Sequence, residues 1–188
     1  MTYSELLAKV AAWLNRTDLT GVIPDFVELA EERINRHLRV RAMEVNLAAT
    51  PIVDNEITLA SDVLDVKTIW VPGYEGTPLK PQTLETVIAN GVDGIPAIFA
   101  HKAGNVLRFD GSGSVQGVLY QRIPVLSTAG STWLSNTAPS VYLFGALSEA
   151  ALYIGGDPSV WEAKFQKALD EIHGNDKRFN GPLVVRAR

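Results

Sequence analysis

The chain has 188 residues, 46% of them hydrophobic and 20% charged, with a formal net charge of -4 at pH 7. That composition excludes global disorder and leaves no basic excess to drive the protein onto nucleic acid or anionic lipid. Cysteine is absent, which excludes disulfides, thiolate metal sites and cysteine nucleophiles together and fits synthesis in a reducing cytoplasm.

The first residues show no basic leader ahead of an apolar core, so no signal peptide is expected. Thr2 and Glu5 have capping-box spacing, and Leu6, Val10, Trp13 and Leu14 recur at helical intervals, which predicts a first helix. Asn15 to Gly21 reads as a loop. Pro24 suits a first helical turn, where its missing N–H would lack a partner anyway, and a second helix is predicted from there to Leu38 or Arg39. From Val45 to Ile123 short apolar runs alternate with turn residues. Strands are predicted at Glu56–Leu59, Val66–Val71, Ala97–His101, Val106–Phe109 and Val115–Arg122. Turns are expected at Asp54-Asn55, Pro72-Gly73, Lys102 to Asn105 and Asp110 to Ser114. A short helix is expected between Pro81 and Gly91. Helical patterning returns at Pro139 to Ile154, capped by Thr137 or Asn136. This helix is apolar nearly all round, so it must be buried on most sides. Its longest apolar run is shorter than the ~20 residues of a membrane span, and Glu149 interrupts it, so no membrane anchor is expected. Gly155-Gly156 ends it. Asp157-Pro158 starts a last helix with Trp161, Phe165, Leu169 and Ile172 on one stripe and Gly174 at its end.

This order predicts an α+β protein: a helical bundle formed by the N- and C-terminal helices, with an inserted antiparallel β subdomain. The boundaries read from the sequence are 1–44 and 127–174 for the bundle, 45–126 for the β subdomain and 175–188 for an extended C-terminal arm.

The second helix is amphipathic. Phe26, Val27, Ala30, Ile34, His37 and Leu38 fall on one side, and Asp25, Glu28, Glu32, Arg36 and Arg39 on the other. Its acids come first and its bases last, the order that suits the helix dipole. Leu29 falls on the charged side, where a lone monomer gains little from it. Two readings stay open: a solvated face, or a subunit interface of Glu28, Leu29, Glu32, Arg33, Arg36 and Arg39 in which acid pairs with base around a ring. Arg33, Arg36, Arg39 and Arg41 could also serve a DNA-binding module, although four nearby acids and the lack of interleaved aromatics weigh against it. In the tail, Lys177, Arg178, Phe179, Leu183, Val184, Val185, Arg186 and Arg188 combine positive charge with a strand-like apolar run. The tail reads either as a frayed terminus or as an arm that docks on a partner.

No phosphate loop, dinucleotide fingerprint or metalloprotease helix is present. Asp110-Gly111-Ser112-Gly113-Ser114 does not make a nucleophile elbow, and His37, His101 and His173 are scattered without a partner at metal-ligand spacing. No catalytic, cofactor-binding or metal residue is therefore assigned, although paired acids of a cell-wall hydrolase could still meet from distant positions.

The run from Ile23-Pro-Asp-Phe-Val-Glu-Leu to Arg41-Ala-Met-Glu44 resembles the signature of tailed-bacteriophage head-to-tail adaptor proteins, also called connector or neck proteins. Tyr3-Ser-Glu-Leu6, Trp13-Leu-Asn-Arg16, Tyr120-Gln-Arg-Ile-Pro-Val-Leu-Ser127, Trp133-Leu134 and Pro139 to Tyr153 are similar to the family as well, and Trp161 to Phe165 continues the likeness. The chain departs from the family at Asp110 to Ser114, where a proline-rich turn is usual, and at Ala60, where a proline is usual. The resemblance implies a homo-oligomeric ring, commonly of twelve subunits, beneath the portal protein at the capsid vertex. It implies a ring that extends the DNA channel without sequence-specific contact and offers a platform to the next tail or neck protein. It implies no catalysis and no cofactor, a C-terminal segment that reaches the portal, and a place in the virion neck after synthesis in the host bacterial cytoplasm.

Overall fold

A computed structural model describes residues 1–91 and 94–180. The chain forms two compact units, one from Met1–Ala42 and the chain from Ile123 onward, the other from Met43–Arg122. The α+β class holds. The first unit is helical and the second is built on strands.

The helical unit contains α1 (Tyr3–Leu14), α2 (Ile23–His37), the short α4 (Leu126–Ala129) and α5 (Trp133–Thr137), then α6 (Pro139–Tyr153) and α7 (Ser159–Asn180), while α3 (Leu84–Ala89) lies in the strand unit. The predicted capping box at the start of α1 is present. Glu5 N–H donates to the Thr2 hydroxyl at 3.3 Å, and Thr2 N–H donates to the Glu5 carboxylate at 2.9 Å. Around α6 pack α1, α2 and α7. Its fully buried residues include Val141, Tyr142, Ala146, Leu147 and Ala150, facing Leu6 and Val10 of α1, Phe26, Ala30 and Ile34 of α2, and Phe165 and Leu169 of α7. Burying a side chain of this size contributes about 1.5–3 kcal/mol. Gly145 lets the helices close up: a Cβ there would sit 2.9 Å from the Ala30 Cβ and 3.2 Å from the Phe165 ring. Burial pushes the Tyr142 phenol up to about 12, and its hydroxyl hydrogen-bonds with that of Thr132 at 3.2 Å.

Three expectations for this unit are corrected. The N-cap of α6 is Ala138, not Thr137 or Asn136, because both of those belong to α5, where the Thr137 hydroxyl donates to the Trp133 carbonyl. The end of α6 is not enclosed: Leu152, Tyr153 and Ile154 are exposed. The last helix does not stop at Gly174 but runs to Asn180, so the first part of the proposed extended arm is helical. A mid-helix glycine costs only about 1 kcal/mol, and the Asp176 carboxylate beyond it accepts a hydrogen bond from Arg41 N–H at 3.0 Å. Among the described residues no helix is long and apolar enough to cross a membrane.

The strand unit holds β1 (Glu44–Ile52), β2 (Glu56–Thr58), β3 (Val63–Trp70), β4 (Lys80–Pro81), α3 (Leu84–Ala89), β5 (Ile98–Lys102), β6 (Val106–Phe109) and β7 (Gly113–Gln121). One sheet has the order β1-β7-β3 and the other β2-β6-β5-β4. All pairs are antiparallel except β4 with β5, which is parallel. The sheets are stitched at both margins. A tight turn at Asp54-Asn55, both at positive φ, joins β1 to β2, and Leu79 N–H donates to the Ile69 carbonyl at 2.7 Å beside β3 and β4. Ile57, Ile69, Phe99, Leu107, Phe109, Val115 and Leu119 fill the space between them. Alternation along β6 shows the pattern: Leu107 and Phe109 point in while Val106 and Arg108 lie nearer the surface.

A buried carboxylate ties this unit together. Asp110 accepts hydrogen bonds from Ala97 N–H at 2.9 Å, Ile98 N–H at 3.1 Å and the Asn90 amide at 3.0 Å. It thereby joins the end of β6 to the start of β5 and the end of α3.

Candidate functional site

The second helix carries the candidate site. Pro24 occupies its first turn, and its N-cap Val22 makes no side-chain capping bond. At the other end the Arg39 guanidinium donates to the carbonyls of Asn35 and Leu38, each at 2.7 Å, satisfying groups that a helix end leaves open. Ile23, Phe26, Val27, Ala30 and Ile34 are buried. His37, which the wheel placed on the apolar side, is exposed because the helix ends there.

The charged side divides into three groups. Asp25, Glu28, Leu29, Glu32 and Arg36 form an exposed stripe, with Leu29 45% exposed. None of its charged side chains makes a hydrogen bond or ion pair among the described residues. Arg33, by contrast, turns inward. Its guanidinium pairs with Glu149 of α6 at 2.8 Å and Glu162 of α7 at 2.6 Å, and it lies 4.6 Å from the centre of the Phe165 ring. The Ser148 hydroxyl and Gln166 amide also donate to Glu162, each at 3.0 Å. Arg33 therefore bolts α2 to α6 and α7, and Arg39 closes its own helix. Both arginines thus make their contacts within the chain, Arg33 across helices and Arg39 at its own helix end. Of the four arginines Arg36 and Arg41 are exposed, while Arg33 and Arg39 are partly buried.

The third group is Glu31 and Asn35, both buried. The Glu31 carboxylate accepts from Leu126 N–H at 2.7 Å, and the Asn35 side-chain carbonyl accepts from Ile123 N–H at 2.8 Å while its amide donates to the Glu31 carbonyl at 3.0 Å. They hold the chain where it re-enters the helical unit. The only local signal was that the two lie one turn apart beside the apolar face.

Burial works to raise the pKa of Glu162, but hydrogen bonds from Gln166, Arg33 and Ser148 outweigh it and hold the carboxyl below its ordinary value of 4.5. Since the folded-state value is the lower one, this group stabilises the fold above pH 4.5, and its contribution is lost as pH falls through the folded value. The urea midpoint of the helical unit should therefore drop on going from pH 6 to below pH 4, and less steeply in Glu162→Gln. Parallel curves for the two proteins would contradict this.

Of the proposed docking residues, Lys177 is exposed on α7, and Arg178 and Phe179 lie within the same helix. Leu183, Val184, Val185, Arg186 and Arg188 lie outside the described residues.

The family model described as SU10 adaptor protein matches residues 1–186. The chain belongs to the SU10 adaptor protein family. The resemblance to phage head-to-tail adaptors is upheld at the level of the family, and with it a structural adaptor role in the virion neck. A comparison with curated proteins finds no match. For a member of an adaptor family, the chemistry that matters is surface complementarity, and the exposed stripe of α2 is the feature to explain.

Proposed function

We propose that this family member assembles into a ring, of twelve subunits, beneath the portal protein, extends the DNA channel and links the capsid vertex to the tail. The observation that carries the ring is the α2 stripe. Asp25, Glu28 and Glu32 flank an exposed Leu29 on a helix whose Arg33, Arg39, Glu31 and Asn35 are engaged inside the chain. A charged stripe with an apolar centre suits a head-to-tail contact that closes on itself by rotation. Glu28, Leu29, Glu32 and Arg36 are assigned to that contact. The net charge of -4 fits a channel through which DNA passes without being held.

The C-terminal segment from Lys177 to Arg188 is assigned to the portal and the strand unit to the next tail or neck protein. Support for the first comes from the sequence, where Leu183-Val184-Val185 is flanked by basic residues. Electron microscopy of the protein mixed with its portal should show a ring of subunits on the portal. Deleting Gly181 to Arg188 should leave the circular dichroism and unfolding midpoint unchanged while abolishing that complex. A truncated protein that binds the portal normally would remove this assignment.

A further inference from the structure

On a second surface of the helical unit, aromatic rings and lysines are gathered. Trp13 of α1, Phe144 of α6 and Trp161 of α7 pack edge and face, with centroids 5.5 Å apart for Trp13–Trp161 and 6.3 Å for Phe144–Trp161. The Lys164 ammonium lies over all three, 4.9 Å from the Trp161 ring, 5.4 Å from Phe144 and 5.8 Å from Trp13. Trp13 is nevertheless 50% exposed. Lys9, one turn before Trp13, and Lys167, one turn after Lys164, are exposed as well. This surface is distinct from the α2 stripe. Gly145 faces α2, whereas Phe144, one residue earlier, points about 100° away around α6.

The two surfaces complement each other in charge and in kind. One presents three carboxylates around a half-exposed leucine, with Arg36 at its C-terminal end. The other presents three ammonium groups around a half-exposed tryptophan. We infer that they are the two halves of a single head-to-tail contact: Asp25, Glu28 and Glu32 of one copy meet Lys9, Lys164 and Lys167 of the next, with Leu29 seated against Trp13. The occupant of the aromatic face is thus a second copy of this chain. The inference rests on the ring reading above and supplies the receiving surface that reading lacks. Because the two halves are different patches of the same subunit, the contact repeats from copy to copy and does not end at a dimer.

The absence of native cysteine makes the test direct. The double variant Glu28→Cys with Lys164→Cys, oxidised with and without portal, should give a disulfide ladder of cross-linked multimers extending beyond two subunits, while each single variant, with one thiol per chain and no thiol facing it, should give few dimers. No multimer beyond two subunits in the double variant, or dimers as abundant in either single variant, overturns the pairing. Charge reversal adds an independent reading by sedimentation. Glu28→Lys alone and Lys164→Glu alone should each weaken association roughly tenfold or more, and an equimolar mixture should recover it, since the reversed faces then match. A mixture no better than either variant alone counts against the contact. Rings on the portal without the ladder would remove this contact and leave the ring. A ladder without rings would do the reverse.

Discussion

Replacing Arg33 by Ala is expected to lower the stability of the helical unit by about 2–4 kcal/mol. The arginine is 21% exposed and its partners Glu149 and Glu162 are 17% and 37% exposed, so the loss falls below that of a fully buried pair. It exceeds that of a surface pair because two carboxylates are stranded and the guanidinium leaves the Phe165 ring. Chemical denaturation should show a lower midpoint with little change in slope. Lysine should recover only part of the loss, since it cannot reach both carboxylates with a planar fork. The triple variant Arg33→Met, Glu149→Gln, Glu162→Gln should recover most of it by removing the stranded charge. An Arg33→Ala protein as stable as the parent would show that the pairs contribute nothing.

A comparable loss, again about 2–4 kcal/mol, is expected in the strand unit from Asp110→Ala. That side chain is 7% exposed and accepts three hydrogen bonds, two of them from backbone N–H groups. Hydrogen exchange resolved by peptide should locate the effect. Amides around Ala97 and Ile98 and in β6 should lose protection while those of α6 keep theirs. Asp110→Asn should cost less, because its carbonyl can still accept from both N–H groups. Uniform loss of protection in both units, or none, would contradict the assignment.

How much of this was legible in the sequence depended on the range of the interaction. The capping box of Thr2 and Glu5 and the hairpin strand Val106–Phe109 were read correctly because their signals lie within a few residues. The strand β1 was missed. Ala48-Ala49 and Pro51 are poor strand formers, and β1 is held by pairing with β7 some seventy residues on, across an irregular register between Leu47 and Thr50. The two residues of β4 are too few to carry a pattern. Arg33, Glu31 and Asn35 looked like ordinary charged or polar helix positions, since their partners lie 88 to 129 residues away. Asp110 sat in a glycine- and serine-rich stretch that reads as solvated turn, and nothing in its neighbours announced its burial. The exposed stripe, in contrast, was visible from periodicity alone, because exposure on a helix is a matter of angle.

The pairing of β1 with β7 reaches beyond stability. The first and last strands of the insertion are register partners, with Glu44 opposite Tyr120, so the insertion begins and ends at neighbouring points. A segment with adjoining ends is an exchangeable cassette. Recombination between related genomes could swap one such cassette for another without redrawing the helices on either side. The half of the molecule assigned to meeting successive partners could then diversify while the half assigned to self-association stays as it is.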